Sequence, residues 1–199
     1  KEYFKNCYSK IIELFYGQMA SFIDINGEIK SRTYNPICFF SLPIANKKNI
    51  NIYDCFELFT EPEVLEGDNK WFNDKDNQYY DANKRTMFWK FPNVLIISFK
   101  RFNNFGVKIN NVIDFPIDSL DLSKYCIGYD KHKSHFNLFG ICNHIGSSNG
   151  GHYFSYCKNP NGKWYEFNDN NVREIGEDKL VTNNAYCLFY RKINNRLIK

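Results

Sequence analysis

The chain has no pair of cysteines close enough to form a CxxC knuckle. Cys7, Cys38, Cys55, Cys126, Cys142, Cys157 and Cys187 are widely scattered, and their number is odd. Such a set reads neither as a disulfide framework nor as a thiolate zinc site, and it fits a reducing, intracellular compartment. No apolar run approaches the roughly 18 residues of a membrane span, and no secretory segment stands at the front. Charge is not concentrated either. The net +4 is dispersed among acidic neighbours, and the one basic cluster, RKINNRLIK, closes the chain as a solvated end. Without a basic stripe or a recognition motif, nucleic-acid binding is not expected. Internal repeats and low-complexity tracts are missing as well. A chain that starts at Lys1 rather than at methionine is expected to be a piece of a longer protein.

What the chain does have is apolar and aromatic mass. Hydrophobic residues make up 43%, and 19 Phe and 14 Tyr weight the composition towards strands around one packed core. In KEYFKNCYSKIIELFYG, Ile11, Ile12, Leu14 and Phe15 mark a helical face, and Gly17 is the expected stop. Asn26-Gly27 between two strand-like runs predicts a type I′ hairpin, because both residues tolerate positive φ. ICFFSLPI reads as a strand and NIYDCFELFT as a short amphipathic helix. Residues 62–83 read as polar and irregular. TMFWKF, NVLIISFKRF and VKINNVIDFP read as strands, with NVLIISF apolar enough to be central and covered on both faces. Beyond the polar stretch 128–134, HFNLFGICN, GHYFSYCK, KWYEFND, NVREI and AYCLFYRK are further short strands. The expected class is α+β, mainly antiparallel sheet with few helices.

One stretch carries chemistry: NGGHYFSYCKNPNGKWYEFNDNN, residues 149–171. In an extended run His152, Phe154 and Tyr156 share one face, and Tyr153, Ser155 and Cys157 the other. Gly150 and Gly151 let another backbone pass close to the histidine. The NPNG turn returns the chain so that Asn168 or Asp169 comes beside His152, and only one of the two can point at the ring without a bulge. Such a group accepting from Nδ1–H would fix the tautomer and leave Nε2 to take a proton from a nucleophile and return it to a leaving amine. A neutral Asn suffices when the nucleophile is a thiol, which ionises readily. The plainer reading is a histidine that only packs in its hairpin, beside an ordinary Asn-Asp turn. His132 and His135 read as solvated, and His144 as a loop residue or a lining of the same cleft.

Taken together, these stretches resemble the ubiquitin-specific protease family of deubiquitinating enzymes. GGHYFSYCKNPNGKWYEFNDNNV is similar to that family's histidine box, AYCLFYRK to its closing strand, and FPNVLIISFKRF with KINNVIDFPIDSLDLSKYC to its palm strands. IIELFYGQMAS, YNPICFFSLPI and DCFELFTEPEVLEGDNKW resemble the segments that lead into and through the fingers. The likeness runs in order over nearly the whole chain. It implies a papain-like cysteine-protease fold with thumb, palm and fingers that grips ubiquitin and leads its tail into a narrow cleft. On that likeness residues 1–92 are fingers and linking helices, residues 93–192 the palm, and residues 193–199 a tail. His152 matches the catalytic histidine, Asn168 the third member of the triad, and Asp169 the acidic residue that supports it. Gly150, Gly151, Tyr153 and Phe102 match positions that line the tail channel, and ICNHIGSSNGG occupies the place of a mobile loop above it. The implied partners are ubiquitin and ubiquitinated proteins, with no nucleic acid, membrane or cofactor.

Two departures from the family pattern stand out. Its fingers often hold zinc with two CxxC pairs, whereas the matching stretches here, DINGEIKS and WFNDKDNQYYDANKR, contain no cysteine. No structural zinc is expected, and the Asn-Gly hairpin is expected to hold the fingertip instead. The family's nucleophile lies in a box of the form GLxNxGNTCYxN, which this chain lacks. KNCYSK shares only Cys-Tyr, so Cys7 is not expected to be the nucleophile, and Cys142 and Cys157 are expected to be core thiols. The thumb with its cysteine is expected upstream of this chain, which alone would be inactive. A ubiquitin-binding scaffold without the cysteine is the alternative reading.

Overall fold

The computed structural model describes residues 9–193; Cys7 lies outside them. A helix, α1 (Lys10–Phe15), is capped by Ser9, whose Oγ accepts from the Ile11 N–H. Strand β1 (Gly17–Ile25) follows directly and pairs with β2 (Glu28–Ile37). Gly17 therefore opens a strand instead of ending the helix, which already stops at the extended Tyr16. The reason is crowding, since a Cβ on Gly17 would stand 2.4 Å from the Lys90 carbonyl oxygen. In the hairpin, Asn26 and Gly27 take φ of 53° and 85°, as a type I′ turn requires. Asp24 Oδ1 accepts from the Gly27 N–H at 3.0 Å. On its other side β1 pairs with β8 (Ala82–Lys90), which pairs with β5 (Glu63–Leu65) to complete a four-stranded sheet.

Residues 62–83 are less irregular than their polarity suggests. Besides β5 they form the hairpin β6 (Trp71–Asn73) and β7 (Gln78–Tyr80). Asp76 holds it, accepting from Asn73 Nδ2 at 2.8 Å and from the Tyr80 hydroxyl at 2.9 Å. Aromatic pairs Trp71–Tyr80 and Phe72–Tyr79 face each other across the two strands. Cross-strand pairing of this kind stabilises a short hairpin whose composition otherwise reads as loop. Among the described residues no group of three or more His, Cys, Asp or Glu is placed to hold a metal ion.

The large sheet has the order β15 (Asn171–Ile175), β14 (Trp164–Asn168), β13 (Gly150–Lys158), β12 (His135–Ser147), β16 (Ala185–Lys192), β9 (Val94–Phe99) and β3 (Phe40–Leu42), with β11 (Leu120–Asp121) added on β12. All its neighbours are antiparallel except β3 with β9. NVLIISF proves to be a strand near the edge and covered on one face. Leu95, Ile97 and Phe99 are buried, while the residues between them are partly exposed. VKINNVIDFP makes an isolated antiparallel bridge from Lys108 to Phe102, and pairs at β10 (Ile113–Asp114) parallel to β4 (Ile50–Asn51). Its earlier carbonyls, those of Ile109 and Asn111, are taken by the Arg101 side chain and not by a neighbouring strand.

The core lies between the large sheet and the helix α2 (Ile52–Thr60). Asn51 and Asp54 form a capping box at its start, with the Asp54 N–H donating to Asn51 Oδ1 at 3.0 Å and the Asn51 N–H to Asp54 Oδ2 at 2.8 Å. The helix buries Ile52, Cys55 and Phe56. Phe88 of β8 stacks on Phe91 at 4.3 Å, and Phe56 stacks on Tyr125 at 5.0 Å. Phe88 also meets Phe40 of β3 at 4.9 Å, which ties the small sheet to the large one, each such pair adding about 0.5–1.5 kcal/mol beyond its buried area. Replacing Asn51 by Ala removes the cap, and the expected loss is about 1 kcal/mol of stability, read from the denaturant midpoint.

Candidate active site

The site is built on two consecutive hairpins of the large sheet. β12 and β13 meet at the two-residue turn Ser148-Asn149, so ICNHIGSSNGG belongs to a paired hairpin and is not a free loop. Ile145 lies opposite His152, His144 opposite Tyr153, and Asn143 opposite Phe154. β13 pairs with β14 from Lys158↔Trp164 to Ser155↔Phe167. One further step of that register sets Asn168 across from Phe154, on the face that also carries His152.

Asn168 is thus a diagonal cross-strand neighbour of His152, at a spacing that long side chains bridge. His152 Nε2 lies 2.7 Å from Asn168 Oδ1. Asp169 sits one residue on, in the turn to β15, with φ of 51°. Its Oδ2 is 3.9 Å from the same nitrogen. Of the two residues the sequence left open, Asn168 makes the hydrogen bond and Asp169 stands behind it. The nitrogen differs from the expected one: Asn168 meets Nε2, not Nδ1. The diagonal reach explains this, because only the far end of the ring spans it. With Nε2–H donating to the amide oxygen, the lone pair resides on Nδ1. The His152 side chain is 45% exposed and that of Asp169 77%.

The residues predicted to line a channel fall in two groups. Gly150 has nothing within 4 Å of where a Cβ would stand, so it borders open space. At Gly151 the same atom would stand 2.4 Å from His144 Nε2 and 2.4 Å from the Ile145 carbonyl oxygen. Tyr153 is 55% exposed and packs on His144 with ring centroids 4.6 Å apart. Phe102 lies against His144 at 5.8 Å and Tyr186 at 6.4 Å. Phe102 and Tyr153 therefore come together around His144.

Two residues here, Arg101 and Lys108, were not legible as site residues, and His144, read as a loop residue or a lining of the cleft, is a buried residue of strand β12. Arg101, with no exposed surface, donates from Nε to the Ala185 carbonyl at 2.6 Å and from Nη1 to those of Ile109 at 2.9 Å and Asn111 at 3.0 Å. Burial pulls its pKa down to about 10, which still leaves it charged at neutral pH. Lys108 donates from Nζ to the His144 carbonyl oxygen and so ties the segment after Phe102 to β12. Counting back across a two-residue turn would have set His144 opposite Tyr153, but that turn length was not readable from GSSNGG.

A family model described as ubiquitin carboxyl-terminal hydrolase matches residues 1–190. The chain belongs to the ubiquitin carboxyl-terminal hydrolase family. It is 35% identical over 201 residues to a probable ubiquitin carboxyl-terminal hydrolase of Acanthamoeba polyphaga mimivirus, covering 96% of this chain and 43% of that protein. It is 36% identical over 164 residues to human ubiquitin carboxyl-terminal hydrolase 19, covering 76% of this chain and 12% of that one. Among solved structures, the SAGA DUB module containing Ubp8 bound to monoubiquitin superposes with a TM-score of 0.82 at 30% identity, over 95% of this chain and 43% of the other. The same module bound to ubiquitin aldehyde gives 0.81 at 31%, over 96% and 44%. The chain spans less than half the length of these relatives. Its fold is the catalytic-domain fold of the ubiquitin-specific type, mostly β-sheet with few helices.

Enzymes of this hydrolase family are thiol proteases, so the placement of the thiols matters. Cys142 lies opposite both Ser155 and Cys187, and Cys157 shares a face with Ser155. All three thus project from the side of the sheet away from His152. All three are partly exposed, so Cys142 and Cys157 are not the core thiols expected of them. Burial raises the Cys142 thiol above its ordinary value and pushes Cys187 up to about 12. His135 also departs from a fully solvated state, since it starts β12 with Nε2 3.5 Å from Asp121 Oδ1.

His144 generates a pH prediction. Burial, and then the nearby charge of Lys108, holds its pKa below the ordinary 6.5. The unfolded ring takes up a proton near 6.5 and the folded ring only below that. Its contribution to stability is therefore present above pH 6.5 and lost as pH falls towards the folded value. The rings packed on it belong to Phe102, Tyr153 and Tyr186, and among the described residues Lys108 is the charged group that acts on it. Denaturant unfolding of the wild type and of His144→Leu from about pH 7.5 to pH 5 should show a stability difference that shrinks as the solution is acidified.

Proposed function

We propose that this chain supplies the histidine and asparagine half of the active site, and the ubiquitin-gripping surface, of a deubiquitinating cysteine protease with a papain-like fold. The observation that carries the reading is the 2.7 Å contact between His152 Nε2 and Asn168 Oδ1, beside a Gly-Gly edge and a half-exposed imidazole. Within the described residues, those up to 92 serve as fingers and linking helices and 93–192 as palm; residues 1–8 and 194–199, which include nearly all of the expected tail, lie outside the described residues. The nucleophilic cysteine comes from the thumb, outside this chain, and this chain alone is inactive. The enzyme works inside the cell, where ubiquitin conjugates are made.

In this reading Asn168 holds the Nε2–H tautomer, and Nδ1 takes the proton of the incoming thiol. The thiolate attacks the carbonyl carbon of ubiquitin's last glycine. The imidazolium then returns its proton to the departing lysine amine, leaving a thioester. Water, deprotonated by the same Nδ1, attacks the thioester and releases the thiol and the free carboxylate. Asp169, 3.9 Å from Nε2, stabilises the imidazolium at the moment it carries charge. A neutral carboxamide is enough because a thiol gives up its proton far more readily than a hydroxyl. Gly150, Gly151, Tyr153 and Phe102 line the passage for the tail, which has to be tight for a diglycine. That the SAGA module containing Ubp8 was solved with ubiquitin and with ubiquitin aldehyde supports this partner.

The test uses the full-length protein and a ubiquitin probe with an electrophilic C-terminus. Wild type should be labelled on one cysteine outside residues 1–199, and His152→Ala should slow labelling by about a hundredfold or more. Asn168→Ala should slow it less, and Asp169→Asn least. Equal labelling of wild type and His152→Ala would remove the general-base role. Tight ubiquitin binding with no labelling at all would favour a scaffold.

A further inference from the structure

In this structure Gly151 is a glycine because His144 occupies the space where its side chain would begin. A Cβ there would stand 2.4 Å from Nε2 and 3.1 Å from Cε1 of the imidazole. The ring is 3% exposed and is packed among Tyr153 at 4.6 Å, Phe102 at 5.8 Å and Tyr186 at 5.9 Å. Its own backbone is pinned on both sides: the N–H donates to the Asn184 carbonyl at 2.9 Å, and the carbonyl accepts from Lys108 Nζ. Nδ1 is buried and has no hydrogen-bond partner among the described residues. The ring therefore acts here through its shape. It lies on the face of the sheet opposite His152, so it does not touch the proton-transfer pair.

We infer that His144 is a positioning residue for the reaction. Its ring edge sets the path of the Gly150–Gly151 backbone and the pitch of Tyr153 and Phe102, and so the width of the slot that takes the tail of ubiquitin. The inference rests on the reading of this chain as part of a deubiquitinating site. His152 is held from Asn168 and Asp169, on the next hairpin, and that support does not pass through His144. Disturbing His144 should therefore weaken substrate binding far more than the chemical step. A ring edge fills its gap with one in-plane row of atoms, whereas a branched side chain of similar volume spreads out of that plane and moves the backbone.

The experiment is steady-state cleavage of ubiquitin bearing a fluorogenic C-terminal amide by the full-length protein, comparing wild type, His144→Leu and His144→Ala. His144→Leu roughly conserves volume and should keep the fold. KM should rise about tenfold or more in His144→Leu, since a small misplacement of a binding wall is costly. In the same variant kcat should stay within about threefold of wild type. In a His152→Ala background, ubiquitin affinity should fall by a similar factor on adding His144→Leu. Unchanged KM and affinity in folded His144→Leu would overturn the inference, and so would a loss confined to kcat. Activity surviving in His152→Ala would instead sink the functional reading, while the affinity comparison would still report on His144.

Discussion

Ile145 lies across from His152, and Ser155 across from Phe167; from these two pairings the layout of the site follows. Side chains on a strand alternate, so a register fixed on both sides of β13 assigns every residue of GHYFSYC to a face. His152 goes to the face that Asn168 shares. Tyr153 goes to the face of His144, Phe102 and Tyr186. A slip of one residue between β13 and β14 would leave the imidazole without its carboxamide, and a slip between β12 and β13 would move His144 away from the face of Tyr153.

The two faces have different physical characters. The His152 side has a half-exposed ring, a neutral amide at hydrogen-bond distance and a carboxylate slightly farther away, a set suited to moving a proton and tolerating the charge that results. The other side is an aromatic cluster around a ring that burial keeps neutral. There the polar groups are spent on backbone carbonyls: Arg101 on those of Ala185, Ile109 and Asn111, and Lys108 on that of His144. Both cations serve to hold irregular chain against the sheet. Charge-assisted bonds to carbonyls do this well in a buried setting, where neutral contacts would be weaker. The thiols of Cys142, Cys157 and Cys187 also lie on this second side, away from the imidazole.

The fold was partly legible before any coordinate. Asn26-Gly27, the amphipathic NIYDCFELFT and the alternation in AYCLFYRK each carry a local signal strong enough to decide their own structure. The failures also have local causes. Gly17 carries the same letter whether it ends a helix or lets a strand pass a carbonyl. WFNDKDNQYY reads as loop because the stability of its hairpin comes from rings that meet only across the turn. KINNVIDFP has strand composition, yet Arg101 claims its carbonyls before a neighbouring strand can. NVLIISF is apolar on alternate residues and on those between, but the sheet buries only one of its faces.

For the site, the amino-acid sequence alone determined the kinds of group present and their order: a histidine behind two glycines in an extended run, then a carboxamide and a carboxylate at the next turn, in a chain whose family can be read end to end. Three things awaited the tertiary structure. It chose Asn168 over Asp169 for the hydrogen bond, directed that bond to Nε2 rather than Nδ1, and brought His144 beneath Gly151. Each depends on a distance across strands, set by register and by the reach of a diagonal pair. No periodicity within one strand contains that information, because the partner strand supplies half of it.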